Sequence, residues 1–274
     1  MALFKYYPPH RSSMLDGPYV RFSPATEFKD PFDGVPILRN FDGAAITRTR
    51  YEYAVRKSYQ DELSKRPRPM TLSDFQREHF PLEKFVALQK KNMPKYVRQF
   101  YKRYEEVRQI GGVLSLCRNG MSAAMWSHYA ENQRGFLVEF DDSHEFFQQF
   151  KRPDFGAWLE IKYDDRRPEF DYETGEVDEV LGFKSPEWAY EQEVRLVRLL
   201  NKQPLGEADN SGRPTLFRVP HAAVVSVTLG ANTLADTRTA LDQALKSNEM
   251  SHVQRCHAVS DHQSYAVLRE AGWD

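Results

Sequence analysis

Two carboxylates one residue apart, Glu191 and Glu193, precede a base at Arg195 in the stretch Trp188-Ala189-Tyr190-Glu191-Gln192-Glu193-Val194-Arg195. In extended backbone Glu191 and Glu193 point the same way. If both are buried, their repulsion raises one pKa. Such a pair can hold a ribose hydroxyl and stabilise a developing oxocarbenium ion. A charged edge strand in which Glu193 pairs with Arg195 accounts for the same residues without chemistry.

A second cluster begins at Leu114-Ser115-Leu116-Cys117 and continues through Met125-Trp126-Ser127-His128-Tyr129-Ala130 to Gly135-Phe136. Ser115 is a polar intruder in a strand, serving a site or bonding to backbone. Trp126 and Tyr129 can share a helix face, whereas His128 cannot join them both. His128 is either a hydrogen-bonded structural group or an active-site donor. A third cluster is Tyr19-Val20-Arg21-Phe22-Ser23, followed by Asp30-Pro31-Phe32-Asp33. Arg21 offers a planar fork to a phosphate or carboxylate, or it ties the loop down on Asp30 or Asp33. The histidines show no metal-ligand spacing, so no metal site is expected. Cys117 and Cys256 read as reduced, buried thiols.

The elements that must position these groups alternate in type along the chain. Short strands are expected at Leu3–Tyr7 and Tyr19–Ser23, with one helical turn after Pro24. Residues 44–108 read as a helical insertion, with a stripe of Tyr51, Val55, Tyr59 and Leu63. Pro67 and Pro69 stop that helix, and Thr71 or Ser73 caps a short one. A long helix is expected from about Pro94 to Val107. Strands follow at Val113–Cys117, Gly135–Phe140, Ala157–Tyr163, Glu193–Arg198, Thr215–Val219, Val224–Leu229 and Cys256–Val259. Between them lie helices at Ser122–Ala130, at His144–Phe150 and from Asp236 or Thr237. A polar, hairpin-like region is expected over 201–214 and a short last segment over Gln263–Glu270. This order favours an α+β fold, a mainly antiparallel strand core with a helical insertion, in a single domain over 1–274.

Composition narrows the functional classes. The chain has 274 residues, with 38 Lys plus Arg against 39 Asp plus Glu. That balance argues against a bulk polycationic nucleic-acid binder but leaves room for a local basic groove. Segment 90–108 carries seven Lys or Arg and two Glu. A solvated helix face is its plain reading. No apolar run is long enough to span a membrane and Met1–Pro9 has no signal-peptide core, so a cytoplasmic protein with no membrane partner is expected. A dinucleotide-binding glycine fingerprint, a phosphate-cradling Gly-Lys-Ser/Thr loop and a hydrolase nucleophile elbow are absent from the sequence.

Taken together, Phe4-Lys5-Tyr6, Arg21-Phe22-Ser23, Phe28-Lys29-Asp30-Pro31-Phe32-Asp33, Trp126-Ser127-His128-Tyr129-Ala130 and Trp188–Arg195 resemble a widespread bacterial family of uncharacterised domains, over about residues 3 to 230. More distantly, Lys5-Tyr6, Ser115 and Glu193 occur in an order similar to that of ADP-ribosyltransferases. Lys5 stands where that superfamily usually has arginine or histidine, and Ser115 is not in a Ser-Thr-Ser triplet. The resemblance implies an ADP-ribosyltransferase-like fold and NAD as substrate. It implies Glu193 on the ribose 2′-hydroxyl, Glu191 as the upstream carboxylate, and His128 and Ser115 beside them as catalytic groups. Lys5, Tyr6, Arg21, Ser23, Trp126 and Tyr129 would lie on the NAD side. The acceptor would be a protein or nucleic acid, or water, and an antitoxin-like or defence partner is a further expectation. The alternatives are a nuclease or nucleic-acid binder, using Lys90–Arg108 and a metal held by Asp30, Asp33, Glu191 and Glu193, or a non-enzymatic interaction module.

Overall fold

The computed structural model describes residues 2–39, 48–65, 70–171, 180–200 and 215–273. Its contacts divide the chain into two compact units. One comprises Met1–Val35, Val107–Pro168 and Val177–Asp274; the other comprises Pro36–Glu106 and Glu169–Glu176.

In the first unit a nine-stranded sheet carries the core. Its strands are β1 (Ala2–Tyr7), β2 (Ser23–Pro24), β3 (Gly111–Cys117), β4 (Phe136–Asp141), β5 (Ala157–Glu160), β6 (Glu193–Leu199), β7 (Val224–Leu229), β8 (Gln254–Ser260) and β9 (Val267–Ala271). The order across the sheet is β9-β8-β7-β4-β1-β3-β6-β5, with β2 also on β3. All these pairs are antiparallel except β7 with β8. The chain is therefore α+β with a predominantly antiparallel sheet.

Period-two alternation sorts the central strands. Leu114 and Leu116 of β3 and Val194 and Leu196 of β6 enter the main apolar core with Leu3, Phe22, Val138 and Phe147. Ser115, Cys117, Glu193 and Arg195 consequently face the other side. The register places Arg195 opposite Ser115 and Glu193 opposite Cys117. The second edge of β3 is divided between two short contacts. β1 pairs there only through Phe4 and Cys117, and β2 only through Ser23–Val113 and Pro24–Gly112. Among the described residues no strand pairs with Ser115 on that edge, and the ladder is interrupted at this point.

Helix Ala123–Tyr129 starts where the sequence predicts, with the Ser122 hydroxyl accepting the Met125 N–H. It ends in a left-handed run, Glu131, Asn132 and Gln133, with φ of 48°, 55° and 65°. Gly135 then passes close to the end of β1. A Cβ there would lie 1.9 Å from the Tyr7 carbonyl oxygen. Gly135→Ala is expected to destabilise the protein by about 2–3 kcal/mol, the upper range for overpacking, because the obstruction is backbone. A shifted urea midpoint with unchanged slope is the readout.

The second unit holds helices Arg48–Leu63 and Leu72–His79, most of helix Leu82–Ile110, and a parallel pair of short strands, Ile37–Arg39 with Glu169–Asp171. Thr71 caps Leu72–His79 by accepting the Asp74 N–H. Of the predicted stripe, Tyr51 and Val55 are buried and pack with Phe85, while Leu63 is exposed. The long helix starts at Leu82, twelve residues before the predicted Pro94. It continues through that proline because Phe85, Phe100 and Tyr104 on either side of it are buried.

Other departures are local. The predicted strand Thr215–Val219 is Leu216–Arg218, paired with Tyr19–Arg21 rather than with the main sheet. The last segment is an edge strand, β9. The stops at Pro67 and Pro69 and the hairpin-like region 201–214 lie outside the described residues.

Candidate functional site

A cleft of about 140 Å³ opens on the face of the sheet that carries Ser115 and Glu193. It is lined by Lys5 and Tyr6 of β1, Ser115 and Cys117 of β3, Tyr129, Lys184, and Glu191, Glu193 and Arg195 around the start of β6, with Asp33 from the loop after β2. Residues from four distant blocks of sequence thus converge here.

The chain delivers Glu191 and Glu193 by a turn rather than by a continuous strand. Glu191 ends the 3-10 turn Pro186–Glu191, Gln192 is left-handed at φ 44°, and β6 begins at Glu193. Both carboxylates nevertheless meet the same cation. Lys184 Nζ donates to Glu191 and, at 3.1 Å, to Glu193. Arg195 donates from Nε and Nη2 to the two oxygens of Glu193, each at 2.9 Å. Its Nη1 and Nη2 reach the two oxygens of Asp33 at 2.8 and 2.6 Å. Nη1 also reaches the Leu181 carbonyl. The guanidinium lies 4.9 Å from the Phe28 ring centre. Tyr129 donates its hydroxyl to Glu191 at 2.5 Å, and the Tyr163 hydroxyl accepts the Glu193 backbone N–H.

This network fixes the charges. Burial alone would push the Glu193 carboxyl up, but Arg195, Lys184 and the Ser115 hydroxyl overcome it and hold Glu193 at about 2. Burial pushes Asp33 upward past the pull of Arg195. Lys184 is raised: its burial acts downward, but Glu193 and Glu191 outweigh it. Lys5 differs. Burial pulls it down to about 8, against weaker upward pulls from Cys117 and Glu193. Cys117 is itself pushed up to about 12 by burial.

The Glu193 shift predicts a pH effect. A carboxyl depressed in the folded state stabilises above its ordinary value of 4.5, and that contribution is lost as pH falls through about 2. Thermal melts should show the loss across that window, and Glu193→Gln should flatten it. An unchanged slope in that variant would remove Glu193 as its source.

Sequence-predicted site residues fall into two groups. Lys5, Tyr6, Ser115, Tyr129, Glu191 and Glu193 line the cleft. His128 is exposed, its Nδ1 sharing a hydrogen bond of 2.9 Å with the Tyr190 hydroxyl. Trp126 is fully buried, with its ring edge-on to Tyr6 at 5.1 Å. It packs behind Tyr6 and presents no surface for stacking on a ligand, contrary to its expected place on the NAD side. Arg21 pairs with Glu27, not with Asp30 or Asp33, and Ser23 is spent in β2. Neither lines the cleft.

Sequence reasoning missed Lys184, and it set Asp33 with Glu191 and Glu193 only as a metal ligand, not as a partner of Arg195. Their signals were present: Asp33 closes the Asp30-Pro31-Phe32-Asp33 block, and Lys184 is one of four bases in the acidic segment 160–193. The metal alternative fares differently. Asp33 and Glu193 do converge, but Arg195 stands between them. Among the described residues no group of three or more His, Cys, Asp or Glu could hold a metal. Likewise, no described helix is long and apolar enough to cross a membrane.

Residues 125–196 match the model of a family described as "Protein of unknown function (DUF2971)". The matched stretch contains the Trp126–Ala130 and Trp188–Arg195 blocks, whereas the blocks before residue 34 lie outside it. No curated protein and no solved structure matches the chain.

Proposed function

We propose that the cleft binds NAD and cleaves its nicotinamide–ribose bond, passing ADP-ribose to a nucleophilic acceptor. The observation that carries this reading is the convergence of Glu191, Glu193, Ser115, Tyr129 and Lys5 on one open cleft. Nicotinamide leaves with the bonding electrons and C1′ acquires positive charge. Glu193, ionised at neutral pH, is suited to stabilise that charge and to accept a ribose hydroxyl, and it is unsuited to act as a general acid. The acceptor then bonds to C1′ and gives up its proton to solvent water. Tyr129 and Lys184 hold Glu191 in place beside it. The ADP-ribosyltransferase-like fold belongs to this same proposal.

The competing reading is a binding module in which the ion network is structural. It is favoured by the Arg195 clamp, which engages both oxygens of Glu193. Incubation with NAD, followed by chromatography of nicotinamide, separates the two. Release above the spontaneous rate is expected. No release, with or without protein and nucleic-acid acceptors, would overturn the enzymatic reading.

A further inference from the structure

Lys5 is anomalous in its own strand. Its neighbours in alternation, Leu3 and Tyr7, enter the main apolar core, yet the Lys5 side chain lines the cleft. It reaches the cleft through the gap beside β3, where Nζ donates to the Ser115 carbonyl at 2.9 Å. Lys184 and Arg195, the other cations of the cleft, are each bound by two or more carboxylates. Among the described residues no carboxylate lies within ion-pair distance of Lys5. The titratable groups that act on it are Cys117 of β3 and Glu193 of β6, and the Tyr7 ring lies 5.9 Å from Nζ.

We propose that Lys5 is a nucleophilic amine that captures an aldehyde or ketone ligand as an imine in this cleft. The nitrogen lone pair adds to the carbonyl carbon. The amine's two protons pass to the carbonyl oxygen, which departs as water, and a C=N bond remains. Three features support this role. A lysine desolvated without a counter-carboxylate keeps a free-amine population at neutral pH. At about 8, Lys5 exceeds an ordinary lysine in free-amine fraction by roughly two orders of magnitude. Cys117, the competing nucleophile, stays a protonated thiol. The inference goes beyond the ribosyl reading, and its test contains no NAD, so either can fail alone.

The wild-type protein is treated with benzaldehyde and sodium cyanoborohydride at about pH 7.5, then mapped by peptide mass spectrometry. Lys5 should carry the reduced benzyl adduct at about ten times the level of any other lysine, given its larger free-amine fraction. Its labelling should fall as pH is lowered through neutrality. Adducts spread evenly over the lysines, or an unlabelled Lys5, would overturn the proposal. Lys5→Arg should lose the cleft adduct alone, and if that variant does not fold, the wild-type map still decides.

Discussion

Arg195→Met is expected to lower the unfolding free energy by about 3–5 kcal/mol, the usual cost of removing one partner from a buried ionic group. Arg195 is 1% exposed and donates to Glu193, Asp33 and the Leu181 carbonyl. Methionine fills part of the volume but leaves Glu193 and Asp33 buried, with only Lys184 to share between them. The loss should shrink sharply in the triple variant Arg195→Met/Glu193→Gln/Asp33→Asn, because the charges left uncompensated by the single change are gone. Urea titrations of single and triple variants at one pH provide the comparison. Equal destabilisation of both would mean that Arg195 acts by packing alone.

The second large effect concerns chemistry. Glu193→Gln should reduce nicotinamide release from NAD by about 10²–10³-fold, the range for deleting one preorganised electrostatic group. The substitution keeps the shape and one acceptor oxygen, so the bonds from Arg195 and Lys184 can survive in part. Circular dichroism at the assay temperature establishes that the variant is folded. Turnover unchanged in a folded Glu193→Gln protein would defeat the catalytic role. Glu191→Gln provides the contrast: its carboxylate is held by Lys184 and Tyr129, and the effect should be smaller.

Local elements were legible because their signals are local. Ser122 as helix cap, the apolar strand Val224–Leu229 and the period-two strand Glu193–Arg198 follow from residue type and spacing. Half of the candidate site was legible for the same reason, through the Glu-x-Glu pair and Ser115. The pairing of Asp33 with Arg195 was not, since the two lie 162 positions apart and no local rule joins them. Trp126 and His128 show the limit of local rules. Helical spacing shows that they point apart, but only tertiary packing decides that Trp126 goes under Tyr6 while His128 faces solvent. The passage of a helix through Pro94 is another tertiary outcome, in which buried aromatic rings outweigh a local penalty.

The divided edge of β3 has a consequence for how such a protein can change. The gap beside Ser115 exists because two strands each cover only part of one border, so its origin lies in chain path rather than in any side chain. Side chains around it can be exchanged, and ligand preference altered with them, while that break in the pairing persists. Extending either strand along that border would set backbone beside Ser115, even with every charged group left in place.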